Sequence, residues 1–227
     1  SKGLIYPKDN PLSSGKVEIK YMTAKEEDIL SNQSYIKKGN VLDKLLESVM
    51  VSKIEIKDLI VGDKNAILIA TRVLGYGKNY KVIVKGEEQN IDLSILENKP
   101  FNEEDHKPGK NEFNFTLPST EVEITYKILT GHDEVKIDRE IAGLKRLHKD
   151  ASPELSTRLK YIITSVDGET GTKEIREYID NYLLARDSRA LREHIKETQP
   201  DVDLNYILED GEEVSIPIGM SFFWPDI

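Results

Sequence analysis

The stretch that most constrains this chain runs from Lys64 to Leu74. Ala66, Ile67, Leu68, Ile69, Ala70, Val73 and Leu74 fill it, and only Lys64, Asn65, Thr71 and Arg72 are polar. At helical spacing these residues cover most of a helix circumference, and a helix that apolar is stable only when buried on nearly all sides. The pattern therefore predicts the centre of an N-terminal core over about residues 64–74. Asp63 stands where a helix N-cap is needed and Gly75 where a C-terminal stop is needed, so both ends are marked.

The flanking elements are amphipathic and shorter. Thr23-Ala24-Lys25-Glu26 has the hydroxyl–carboxylate spacing of a capping box, predicting a helix over about 24–30. Asn40 precedes Leu42, Leu45, Leu46, Val49 and Met50 at helical spacing. Lys81–Lys85 and Gln89–Leu93 flank Gly86-Glu87-Glu88 as a small hairpin, and Phe113–Leu117 and Val122–Ile128 alternate as strands. Four helices follow. The first covers 133–149, the second runs from a Ser152-Pro153 start to about Val166, the third starts at Thr172, and the fourth is capped by Asp187 and ended by Pro200. Leu204, Tyr206 and Leu208, then Val214, Ile216 and Ile218, alternate around Asp210-Gly211, a hairpin signal.

The predicted class is α+β with no internal repeat. Residues 1–15, rich in Pro, Ser and Gly, read as an extended N-terminal arm. Residues 16–96 form a mixed unit with a buried central helix and a small β-hairpin, and 97–111 an exposed loop. Residues 112–227 form a helical unit flanked by strands and ending in a hairpin. A length of 227 residues suits one sizeable core or two modest ones.

Charge and composition narrow the function classes. The net charge of −9 disfavours a nucleic-acid partner, because a phosphate backbone is gripped by clustered Lys and Arg. The absence of cysteine rules out disulfides, thiolate metal sites and a cysteine nucleophile, and suits a reducing compartment. No run approaches the roughly 18 apolar residues of a membrane span, and Ser1–Pro7 lacks the apolar stretch of a signal peptide. A chain made in the host cytoplasm is expected.

Chemistry-bearing motifs are sparse. His106, His132, His148 and His194 have no partner at ligand spacing. Gly75-Tyr76-Gly77-Lys78 lacks the upstream glycine and following Ser or Thr of a phosphate loop, and reads as a helix stop with a turn. Asp201, Asp203, Asn205 and Glu212 match acidic positions of a calcium loop, but Tyr206 stands where the turn needs glycine. The acidic runs Glu26–Asp28 and Glu103–Asp105 read as solvated faces. No catalytic residue, cofactor, metal or small-molecule substrate is predicted. The feature that reads as functional is Ser221-Phe222-Phe223-Trp224-Pro225 near the end of the sequence. Packing on its own domain is one reading of this aromatic cluster. Anchoring on a partner is the other. Tyr6 of the arm and Phe222, Phe223, Trp224 and Pro225 are the candidate partner-binding residues.

Several blocks carry a resemblance. Tyr21-Met22-Thr23-Ala24-Lys25-Glu26-Glu27-Asp28-Ile29-Leu30, Ile36-Lys37-Lys38-Gly39 with Val41–Leu46, and Val61–Ala70 running into Arg72–Gly77 together resemble the T4-type bacteriophage baseplate hub subunit family. The Ser221–Pro225 ending is similar to that of many members. The resemblance implies a non-enzymatic structural protein of a contractile tail, present in the virion baseplate and contacting other hub, spike or tape-measure proteins. An assembly chaperone that binds hub or tape-measure proteins and then leaves is the alternative. Many relatives carry a cysteine cluster near the 81–93 hairpin. This chain departs from them in having none, so no metal is expected at that hairpin.

Overall fold

The computed structural model describes residues 1–101, 107–147, 153–208 and 211–224. Its fold is α+β, and the described residues build two hydrophobic cores.

The first core is organised by α4 (Val61–Tyr76), the helix foreseen at 64–74. Around it lie α1 (Ala24–Leu30), α2 (Gln33–Lys37), α3 (Val41–Val49) and the antiparallel hairpin β1 (Asn79–Val84) and β2 (Glu87–Asp92). Leu30, Leu45, Leu46, Val49, Ile60 and Ile91 are among its deepest side chains. α1 forms as its capping box dictates: the Glu26 carboxylate accepts from Thr23 N at 2.8 Å and Thr23 Oγ1 at 2.7 Å. Glu26 is wholly buried and also accepts from Ser48 Oγ at 2.7 Å, tying α1 to α3. Burial alone would raise its carboxyl pKa. The hydrogen bonds from Ser48 and Thr23, with the Lys20 ammonium, outweigh burial and lower the pKa to about 2. α2 had no apolar stripe to announce it; Asn32 caps it through Ser34 N and Tyr35 N.

The ends of α4 differ from expectation. Asp63 lies inside the first turn, and the buried Ile60 N–H is instead accepted by the Tyr6 hydroxyl at 3.1 Å. Tyr6 in turn donates to Asp63 Oδ2 at 2.7 Å. Gly75 is helical, and Gly77, with φ of 86°, ends the helix. Gly62 meets Pro200 so closely that a Cβ would stand 1.9 Å from the Pro200 carbonyl oxygen.

The second core begins with a three-stranded antiparallel sheet, β3 (Phe113–Thr116), β4 (Glu123–Tyr126) and β5 (Ile163–Val166). α5 (Gly131–Leu147), α6 (Glu154–Ile162), α7 (Thr172–Asn181) and α8 (Ala185–Thr198) accompany it. Leu117, Ile124, Leu159, Ile163 and Leu191 fill its interior. The helix expected to reach Val166 stops at Ile162, because the β-branched run Ile163, Thr164, Val166 pairs with β4. Asp187 is no cap. It lies buried in the first turn of α8, accepting from Ser119 N at 2.8 Å and Thr120 Oγ1 at 2.9 Å.

After α8 the chain returns to the first core. β6 (Asn205–Ile207) and β7 (Glu213–Ser215) pair as the expected hairpin, although Asp210 of its turn lies outside the described residues. Val202, Ile216, Phe222 and Phe223 belong to the first core, so the unit expected over 112–227 is interrupted after α8. Beyond the alternation that ends at Ile218, the chain forms a short helix, α9 (Met220–Phe223). Residues 1–15 are not an extended arm: Ile5, Tyr6 and Leu12 are buried in the first core. Three apolar anchors in a Pro- and Ser-rich stretch give no periodic signal, yet they suffice to fix a compact loop. No described helix is long and apolar enough to cross a membrane.

Candidate functional site

The sequence called for α4 to be covered on nearly all sides, and the fold leaves one face open. Ile67, Leu68, Ile69, Thr71 and Arg72 point inward, while Ala66, Ala70 and Leu74 are exposed in a line one turn apart. An apolar groove runs on each side of that line. One, of about 350 Å³, is walled by Leu12, Val17, Ile19 and Leu59, and Lys2, Lys16 and Asp63 also line it. The other, of about 410 Å³, is walled by Ile69, Val73, Leu93, Leu96 and Val202, and no charged side chain lines it. The two alanines form a low ridge between the grooves, so a second polypeptide could approach the α4 backbone closely.

The aromatic residues singled out in the sequence are placed differently. Phe222 and Phe223 are fully buried and pack edge to face, with ring centroids 5.4 Å apart. Phe222 also lies 5.1 Å from the Tyr80 ring. Their hook is fastened by Arg72, itself only 2% exposed: Nε donates to the Phe222 carbonyl at 3.0 Å and Nη1 to the Gly77 carbonyl at 3.1 Å. The guanidinium lies 5.0 Å from the Tyr76 ring centroid. Tyr6, Phe222 and Phe223 are thus committed to the chain's own core and present no anchor in this conformation. Trp224 is half-buried against the same core, and Pro225 lies outside the described residues.

The remaining sequence candidates also find their places. Lys78 of the Gly75–Lys78 turn pairs with Asp92 at 2.7 Å. Asp201 accepts from Asn65 Nδ2 and Val202 N, Asp203 accepts from Asn205 N, and Glu212 pairs with Lys85. The carboxylates of the apparent calcium loop are therefore held separately. His194 stacks on Phe115 at 4.5 Å, and burial lowers its pKa. His106, His148 and the run Glu103–Asp105 lie outside the described residues.

His132 contradicts the expectation that no histidine has a ligand-type neighbour. Its Nε2 lies 3.1 Å from Asp58 Oδ1 and 3.5 Å from Glu55 Oε1. Among the described residues this is the one group of His, Asp and Glu whose donor atoms lie within 4.8 Å of one another. His132 stands in the first turn of α5, while Glu55 precedes the 3₁₀ turn Ile56–Asp58 and Asp58 ends it. The separation of 74 residues between His132 and Asp58 hid the cluster from any reading of local spacing. Compared with protein-family models, with curated proteins and with solved structures, the chain matches none of them.

Proposed function

We propose that this chain is a non-enzymatic structural subunit acting through protein–protein contacts, and that its assembly is the baseplate hub of a contractile phage tail. The observation that carries the contact reading is the open Ala66–Ala70–Leu74 face of α4 between two apolar grooves. Burying such a face is worth roughly 25 cal/mol for each Å² removed from water. The net charge of −9 opposes self-association, so the occupant is a different chain that brings apolar side chains and fewer acidic ones. Hub, spike or tape-measure proteins are the partners this reading names.

The baseplate assignment rests on the resemblance of the 21–30, 36–46 and 61–77 blocks. The last of these is α4 itself, so the segment that suggests the family is also the one left open to a partner.

Ala70→Lys tests the contact. Ala70 is exposed, so the substitution is tolerated by the isolated fold, while a charge on the ridge blocks docking. The expected result is an unchanged melting temperature with loss of the chain from assembled particles. Normal incorporation of the Lys variant would remove the α4 face from the reading.

A further inference from the structure

We propose that Glu55, Asp58 and His132 form a binding site for a divalent transition-metal ion, with zinc the best match to the donor set. The ion would clamp the 3₁₀ turn of the first core to the start of α5.

The geometry carries the argument. Zinc bonds to imidazole nitrogen and carboxylate oxygen are about 2.1 Å, which places donors about 3.4 Å apart at tetrahedral angles. The two measured separations from His132 Nε2, 3.1 and 3.5 Å, bracket that value. An ion therefore enters with little movement of either histidine–carboxylate pair. One imidazole with two carboxylates is a borderline nitrogen and oxygen set. It favours zinc over calcium or magnesium, which take all-oxygen shells. The two negative charges balance a dication, and the His132 and Glu55 side chains are 43% and 61% exposed, leaving room for water at a fourth position.

Asp58 is also held in place from outside the cluster. Asn10 Nδ2 donates to Asp58 Oδ2 at 3.0 Å, which leaves Oδ1 turned to His132. This is the orienting contact that carboxylate ligands commonly have. Gly131 lets α5 start directly on the turn, since a Cβ there would stand 2.9 Å from Lys57 Cα. Gly131 N donates to Leu59 O at 3.2 Å. Backbone contacts thus bring together donors far apart in sequence.

The test is calorimetric titration of zinc chloride into the chelator-treated full chain, with cobalt(II) absorption reporting the coordination geometry. One equivalent should bind, with the intense visible bands of four-coordinate cobalt. Asn10→Ala should weaken binding by about tenfold, the scale of an orienting partner, and His132→Ala or Glu55→Gln by more. All three changes fall at partly exposed positions, and circular dichroism checks that the fold is kept. Asp203→Asn, in the unrelated acidic turn, should leave the titration unchanged. Absence of uptake would overturn the proposal. So would affinity unaltered by His132→Ala, or lost with His132→Ala but kept with Glu55→Gln. Each of those results would reduce the cluster to an imidazole hydrogen-bonded to carboxylates.

Discussion

Tyr6→Phe removes one oxygen atom and tests whether residues 1–15 belong to the core. That hydroxyl accepts the Ile60 N–H at 3.1 Å and donates to Asp63 at 2.7 Å. Ile60 is fully buried, so no water replaces the lost acceptor. An orphaned buried donor costs about 1–3 kcal/mol. Asp63 is partly exposed and keeps the Ser1 hydroxyl at 2.6 Å, so its loss adds little. The expected destabilisation is about 1–3 kcal/mol, a large share of the roughly 5–15 kcal/mol that holds a domain together. Urea unfolding followed by circular dichroism should show a lower midpoint with an unchanged slope. Hydrogen exchange at the Ile60 amide should quicken.

Burial first, then the Asp63 carboxylate, push the Tyr6 hydroxyl well above its ordinary value. The folded chain thus holds this proton more tightly than the unfolded one. The stability so gained is complete below the unfolded pKa of about 10 and is lost as pH rises beyond it. Tyr6→Phe should flatten that alkaline loss. A change below about 0.5 kcal/mol, with no effect on the alkaline limb, would refute the docking and restore a detached arm.

Three further outcomes follow from the same contacts. Gly62→Ala drives a Cβ into the Pro200 carbonyl; the clash should exceed the roughly 1 kcal/mol gain in helix propensity and leave a net loss readable in urea melts. Arg72→Met orphans the buried Phe222 carbonyl, which should cost about 1–3 kcal/mol and speed chymotryptic cleavage at Phe222 and Phe223; unchanged cleavage would mean the hook is held by packing alone. Glu26 titrates at about 2 in the folded chain against 4.5 ordinarily. Its stabilisation is therefore present above 4.5 and lost as pH falls toward 2, and Glu26→Gln should flatten that acid limb.

Elements whose determinants are local could be read in the sequence. The Thr23–Glu26 box set α1 to the residue, and the dense apolar run placed α4 at the centre of its core. What could not be read came from distant residues. The acceptor for the Ile60 N–H at the start of α4 is Tyr6, the Asp187 carboxylate is used by a loop 67 and 68 residues earlier, and Arg72 holds a carbonyl 150 residues on. The open α4 face was invisible for a related reason. Ala66 and Ala70 look like core residues by composition, and only the arrangement of neighbours leaves them outside. The aromatic ending left two readings open, and Phe222 and Phe223 take the first of them by packing into their own core, while the candidate anchoring role at these two positions finds no exposed ring.

The most direct test of the central claim is quantitative mass spectrometry of purified, intact contractile-tailed phage particles from cultures producing this chain. A structural hub subunit should appear at a fixed, low copy number per tail. Its presence only in the lysate, with none in the particles, would contradict that claim and make the chain a departing assembly chaperone.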